Sequence, residues 1–198
     1  MSPRPRKASD EEVFAAAARV MGRVGPAQLR LADIAAEAGL TAGALVQRFG
    51  SKRGLMLALM QRFADSTGAM FAELRDAHPS PLAAVRAYAR HFARMGESPD
   101  SLAQSLAYLQ NDLTDPDFYV HTLRQARETQ AALRALLAEA VAAGELVSGA
   151  DPDALARGVQ VVVSGSLMAW AIFREGKATH WVRDDLELLL RPYLVPPP

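Results

Sequence analysis

Apolar residues return at three- and four-residue spacing through most of the chain, while runs that alternate residue by residue between hairpin turns are nearly absent. A spacing of three and four is the repeat of an α-helix with one buried face. Glycine, proline and short polar stretches divide the pattern into about nine helical segments. The pattern therefore predicts an all-α protein.

The first four helices carry clear start and stop signals. Ser9 and Glu12 have the spacing of a capping box, and Gly39 suits the left-handed residue after a helix end. Thr41 and Ser51 are suitable N-caps for the two helices that follow. The predicted ranges are 10–23, 31–38, 42–49 and 52–77.

Prolines at first helical positions mark later starts, at Pro81, Pro116 and Pro152. The apolar window from Val159 to Phe173 contains Gln160 and two serines, so it predicts a buried helix and not a membrane span. The predicted ranges are 81–95, 100–111, 116–143, 152–175 and 183–194.

Composition narrows the class of protein further. A length of 198 residues suits one domain or two, and the absence of cysteine excludes disulfides and thiol catalysis and favours the cytoplasm. The basic start has no apolar core behind it, so no signal peptide is expected. Residues 1–55 hold nine Lys and Arg against five acids, a net +4, and the remainder is −4. A basic head on an acidic body is typical of a protein that binds a polyanion.

The stretch from Ile34 to Phe49 has the anatomy of a helix-turn-helix. Ala35 is small where the two helices cross, Gly39 allows the turn, and Leu45 plugs the angle between the helices. Glutamine and arginine make paired hydrogen bonds to adenine and guanine in the major groove. The second helix would present a DNA-reading face, with these residues on or near it: Thr41, Ala42, Ala44, Val46, Gln47 and Arg48.

The segment from about Val13 to Leu55 resembles the DNA-binding domain of the TetR family. It covers roughly a quarter of the chain, and as a spaced set its pattern is much more specific than a single glycine motif. The shared pattern is an alanine-rich first helix followed by Gly25, Ile34-Ala35, Ala38-Gly39, Gly43, Leu45, Phe49, Ser51-Lys52 and Leu55.

The resemblance implies an all-helical homodimeric repressor that binds a palindromic operator and is released by a small molecule. It also implies that Lys52 meets a phosphate, which suits a lysine beside a helix N-terminus. The family usually has tyrosine at Val46, commonly histidine at Arg48, often lysine at Ala42, and a hydroxyl residue at or beside Arg30. Without the tyrosine and the hydroxyl residue some phosphate contacts of the family are missing, and Arg30 and Arg48 would replace part of them. The residues expected at DNA are Arg30, Thr41, Ala42, Gly43, Ala44, Val46, Gln47, Arg48 and Lys52.

Two functional domains follow from this interpretation, a DNA-binding domain over 1–52 and a ligand-binding and dimerisation domain over 53–198. Aromatic residues, methionines and two histidines in the second part could line a mostly apolar cavity, although each could equally be core. Because no cluster of cations accompanies them, a lipophilic or aromatic effector is expected. The candidates are Phe63, Met70, Tyr88, His91, Phe92, Met95, Tyr108, Phe118, Tyr119, His121 and Trp170.

The last two long helices are the predicted dimer surface. The apolar residues between Val159 and Ile172 exceed what one helix face can bury, and Gly158 and Gly165 allow close approach. Paired across a two-fold axis, the helices would form a four-helix bundle. The predicted contacts are Val159, Val162, Val163, Leu167, Leu186, Leu189 and Leu190.

Two other classes of protein were compared with this interpretation. An enzyme is not expected, because no phosphate-binding glycine loop, nucleophile elbow or zinc-binding histidine pair is present, and no metal or cofactor is predicted. A helical adaptor that binds other proteins is the alternative, and it would show no salt-sensitive affinity for duplex DNA.

Overall fold

The computed structural model describes residues 8–95 and 98–196, apart from the side chain of Met95. Across these residues the chain forms nine α-helices and one short 3-10 helix, which confirms the all-α prediction. The helices are α1 Asp10–Arg23, α2 Leu31–Glu37, α3 Ala42–Phe49, α4 Lys52–Asp76, α5 Pro81–Met95, α6 Pro99–Thr114, α7 Pro116–Ala142, α8 Pro152–Phe173 and α9 Ala178–Leu190, followed by the 3-10 helix Arg191–Tyr193.

The predicted caps hold the ends of the early helices. The backbone N–H of Glu12 donates to Ser9 Oγ at 3.2 Å, and the Ser9 N–H donates to Glu12 Oε2 at 2.7 Å, completing the capping box. Thr41 Oγ1 accepts the N–H of Ala44 at 3.1 Å at the start of α3. These side chains replace helical partners that the first-turn N–H groups lack.

The start of α9 differs from its prediction by five residues, since the helix begins at Ala178 and not at Arg183. Lys177 at its N-cap makes no side-chain cap, so no sequence signal marked the start. The turn before it is stabilised by side-chain bonds to its own backbone carbonyls instead. The indole N–H groups of Trp170 and Trp181 donate to the carbonyls of Gly176 and Glu175, at 3.3 and 2.8 Å.

The described residues fall into two compact units. The first runs as far as Phe63 and includes Ala103–Thr122, and the second comprises Ala64–Leu102 and Leu123 onwards. The helices α4, α6 and α7 each contribute to both units. The predicted functional division after residue 52 therefore falls inside the first unit and stays a prediction.

The first unit has its own apolar core. Val13, Ile34 and Leu45 are fully buried there, and so are Leu55 and Leu59 from α4. Tyr108 of α6 joins this core, with Phe118 of α7 packed against it. A segment distant in sequence thus completes the core around the first four helices.

The second unit packs α5, α8 and α9 around a larger core, in which Val85, Val159 and Leu186 are buried. Arg86 of α5 pairs with Glu187 of α9, with the two closest contacts at 2.6 and 2.9 Å. The helix α8 is long and apolar enough to cross a membrane by length and composition, with a mean hydropathy of 1.4. Its buried residues are part of this core, which is the ordinary role of an apolar helix.

Candidate nucleic-acid interface

Helices α2 and α3 form a helix-turn-helix. Ala35 is 1% exposed where the helices cross, and Ile34 and Leu45 are completely buried. Gly39 has φ +67°, the Leu40 N–H donates to the Ala35 carbonyl at 2.8 Å, and the Gly39 N–H donates to Ala36 at 3.2 Å. This pair of bonds is a Schellman motif, which ends α2 and redirects the chain. The predicted helix-turn-helix anatomy is therefore confirmed.

A pair of arginines fastens α2 to α1. Glu37 accepts hydrogen bonds from Arg19 Nε and from Arg23 Nη2, each at 2.7 Å. The bonds from Arg19 and then Arg23 lower the pKa of the Glu37 carboxyl, so it stays ionised at neutral pH. Two of the cations counted in the basic head thus share one carboxylate and position helices.

The outer face of α3 combines small residues with a few longer side chains, and Arg48 is among the exposed ones. Gly43 and Gln47 are exposed, Val46 is 46% exposed, and Ala42 and Ala44 are half-buried. Thr41 is exposed at the N-cap. Of the residues expected to read DNA, Val46, Gln47 and Arg48 are therefore the exposed larger side chains within α3 itself.

Arg48 has intrachain partners that sequence reasoning missed. Its guanidinium forms an ion pair with Asp10 and donates to the Ala8 carbonyl at 2.6 Å. It also lies 5.6 Å from the centre of the Phe49 ring. The sequence places Asp10 in the first turn of α1, but no periodic spacing relates it to Arg48, which lies 38 positions later.

Lys52 and Arg30 flank the same region. The ammonium group of Lys52, in the first residue of α4, donates to the Leu29 carbonyl at 3.1 Å and to Pro26 at 3.4 Å. It therefore braces the loop between α1 and α2, and its predicted phosphate contact stays a prediction. Arg30 is exposed at the N-cap of α2 and makes no ion pair with another described residue.

The junction between α3 and α4 depends on glycine. Gly50 ends α3 with φ +77°, and Ser51 Oγ accepts the Gly54 N–H at 3.0 Å, which confirms Ser51 as the cap of α4. A Cβ on Gly54 would lie 2.1 Å from the carbonyl oxygen of Phe49. The absence of a side chain there allows the end of α3 to lie against the first turn of α4.

The first unit also contains an open cavity of about 390 Å³. Its wall includes Tyr108, whose hydroxyl donates to the Val24 carbonyl at 3.0 Å, and Arg53, which contacts both Asp115 and Asp117 at 2.9 Å. The Arg53 guanidinium also lies 5.3 Å from the Phe118 ring centre. These contacts fasten the corner between α6 and α7 to the loop after α1 and to the start of α4.

The predicted effector residues are divided between the units. Tyr88 is buried in the second core, stacked on Phe71 at 5.1 Å, and burial raises the pKa of its phenol. The Met95 side chain lies outside the described residues, as do Arg4, Arg6 and Lys7 of the basic start. The first unit holds Phe63, Tyr108, Phe118, Tyr119 and His121, and the second holds Met70, Tyr88, His91, Phe92 and Trp170.

The predicted dimer contacts require a correction. Five of them are buried inside the chain, so they cannot form a surface: Val159, Val163, Leu167, Leu186 and Leu190. Val162 and Leu189 are half-buried against the same core. The apolar residues exposed on α8 and α9 are instead Val161, Met168, Ile172, Phe173 and Leu188. The run of valines has apolar residues on all sides, so its pattern alone could not indicate which face points inward.

Comparison with known proteins agrees with this geometry. Residues 13–59 match the family model described as bacterial regulatory proteins, tetR family. A search of curated protein sequences finds no match.

Solved structures resemble the whole chain. A TetR transcription regulator from Haloarcula marismortui is 16% identical with a TM-score of 0.76, covering 94% of this chain and 98% of its own. SmeT, the repressor of the Stenotrophomonas maltophilia multidrug efflux pump SmeDEF, is 22% identical with a TM-score of 0.68, covering 96% and 92%. The regulator FadR from Bacillus subtilis, in complex with stearoyl-CoA, is 17% identical with a TM-score of 0.67, covering 91% and 97%. At these identities the similarity establishes the fold.

Together the helix-turn-helix and the helical body have the architecture of DNA-binding transcriptional regulators. Residues 13–59 are thus similar to the DNA-binding domain of the TetR family, and the whole chain shares the fold of solved TetR regulators.

Proposed function

We propose that this protein is a ligand-responsive repressor that binds a roughly palindromic operator as a homodimer. It acts in the cytoplasm and releases the operator when a small lipophilic or aromatic molecule binds to its body. The observation that carries the proposal is the exposed face of α3, held rigidly on a packed helix-turn-helix. A helix with a fixed position and an exposed face is what major-groove reading requires.

Dimerisation is supported by an exposed apolar row. Val161, Met168 and Ile172 follow each other at seven and four residues on α8, so they share one helix face, and they are 65%, 48% and 76% exposed. Leu188 of α9 is 61% exposed. Because an exposed apolar row of this kind usually marks an interface, a second copy of the chain is its proposed partner. The dimer would read half-sites about 34–36 Å apart.

The proposed repression and its release by an effector are supported by similar proteins and by the thermodynamic coupling between two binding sites. SmeT is described as a repressor, and FadR was solved with stearoyl-CoA. An effector that prefers the conformation with low DNA affinity must weaken operator binding by the same factor by which the operator weakens effector binding. A lipophilic effector is consistent with the apolar residues of the body.

The test begins with selection of duplexes from a random DNA pool by the purified protein. Affinity for the enriched duplex is then measured against salt concentration for the wild type, for Gln47→Ala on α3 and for Gln61→Ala on the exposed surface of α4. We expect a palindrome, a steep loss of affinity with salt, and a loss of about 5- to 150-fold for Gln47→Ala alone.

Two results would contradict the proposal. Failure to enrich any sequence, with binding to DNA absent or insensitive to salt, would favour the helical adaptor. Equal losses for Gln47→Ala and Gln61→Ala would show that α3 does not read the operator.

A further inference from the structure

We propose that α3 reads A·T base pairs, with the methyl groups of Val46 packed on the C5-methyl group of a thymine and Gln47 bound to an adenine. The inference rests on the proposed DNA binding and specifies what the DNA must contain. Arg48 takes no part in base reading in this arrangement. The operator half-site would therefore be defined by A·T pairs under α3.

The exposure of Val46 is the first argument. Leu45, beside it, is completely buried, while Val46 is 46% exposed and has a β-branched side chain that is not favoured in helices. Its two methyl groups therefore lie on the outer face of a helix that needs a polar surface for solubility. In the major groove the thymine C5-methyl is the apolar group that a base pair presents, so it is the natural partner of an exposed valine.

Small neighbours allow the short valine side chain to reach the base. Gly43 is three residues before Val46 on the same helix face, and a Cβ placed on it would find its nearest neighbour 3.9 Å away. Ala42 and Ala44 add only methyl groups. The N-terminal half of α3 thus has no bulk that would hold its backbone away from the floor of the groove.

The position of Arg48 removes the main reader of guanine. Arginine recognises guanine through two parallel hydrogen bonds to O6 and N7, which need a free guanidinium. Here that group is shared between Asp10 and the Ala8 carbonyl at the start of α1. Gln47, next to Val46, is the other long polar side chain exposed on α3, and glutamine pairs with adenine N6 and N7.

The experiment replaces each thymine of the selected operator by deoxyuridine, which removes the C5-methyl group and leaves base pairing intact. For the wild type we expect one thymine in each half-site at which the substitution weakens binding by about fourfold. Val46→Ala should bind the thymine and uracil duplexes equally. Val120→Ala, which truncates a valine that is 56% exposed on α7, should keep the wild-type sensitivity.

Three outcomes would overturn the inference. The wild type could bind every uracil-containing duplex as tightly as the original, or the sensitivity could persist in Val46→Ala. A guanine whose replacement by 7-deazaguanine weakens the wild type but not Arg48→Ala would place Arg48 on a base. Failure of the proposed function is distinct, because no operator would then be selected and no duplex would be available for substitution.

Discussion

Gly54 illustrates how one missing side chain shapes the DNA-binding unit. The position lies in the first turn of α4, where the chain has just left α3 through Gly50. A backbone carbonyl cannot rotate away as a long side chain can, so the 2.1 Å approach of a Cβ to Phe49 O would force the junction apart. The same helix contains Gly68, whose Cβ would meet nothing within 4 Å.

We expect Gly54→Ala to lower the free energy of unfolding by about 1–3 kcal/mol, because the end of α3 must shift to admit the methyl group. Gly68→Ala should raise it by about 0.5–1 kcal/mol, since alanine favours an unobstructed helix interior. Urea denaturation of both variants provides the comparison. Equal changes in the two variants would mean that the approach to Phe49 imposes no constraint.

The contacts of Arg48 show that sequence patterns do not predict the partners of a side chain that lie far away along the chain. The pattern correctly indicated that Arg48 lies on α3, and its chemistry favoured guanine. Its actual partners, Asp10 and Ala8, depend on how α1 crosses the helix-turn-helix, which no local spacing encodes. The contacts of Lys52 were equally unpredictable, because its bonds to Pro26 and Leu29 depend on the conformation of the loop between α1 and α2.

At the scale of helices, the sequence was sufficient to predict the bounds of a helix wherever a local cap or turn residue ends it. The capping box at Ser9, the cap at Thr41 and the turn at Gly39 are local devices, and α1 to α3 begin and end within a residue of their predicted bounds. The start of α9 had no such device, because the contacts of Trp170 and Trp181 determine it. Hydrogen bonds from tryptophan side chains to the backbone of the connecting turn were therefore the missing information.

The contact between α6 and α1 is distant in sequence, and it leads to a prediction. Tyr108 is 8% exposed, its hydroxyl donates to the carbonyl of the α1 C-cap residue Val24, and burial raises the pKa of Tyr108 to about 12. The phenol therefore stays protonated and able to donate at neutral pH. Tyr108→Phe should lower the free energy of unfolding by about 0.5–1.5 kcal/mol, measured by denaturation.

Tyr119→Phe is the matched control for that substitution. Tyr119 is 44% exposed on α7, so its hydroxyl loses no buried contact, and stability should be unchanged. If Tyr108→Phe were equally neutral, the hydrogen bond to Val24 would contribute nothing to the first unit.

At the scale of the whole molecule, the proposed dimer depends on the exposed apolar row of α8. Ile172 is 76% exposed at the end of that row. A glutamate at its position would have to be desolvated in a dimer, which is costly without a partner of opposite charge. Ile172→Glu should therefore be monomeric at micromolar concentration, with its helical circular dichroism unchanged.

Analytical ultracentrifugation of the wild type and the variant measures this directly. Val120→Glu introduces the same charge at an exposed valine of α7 and should remain dimeric. A dimer that survives Ile172→Glu would place the interface on another surface. Loss of the dimer in both variants would point to a general effect of added charge.

The contribution of residues 103–122 to the first unit has a consequence for how such regulators can be recombined. Exchanging the first 60 or so residues between relatives would separate Leu29 and Met56 from Tyr108, with which they share a core. A chimaera joined within α4 would then combine core residues from two different proteins beneath its helix-turn-helix, and these residues would not fit each other. The proposed operator specificity would therefore be transferred best by replacing the exposed residues of α3, without joining two proteins inside the core of the first unit.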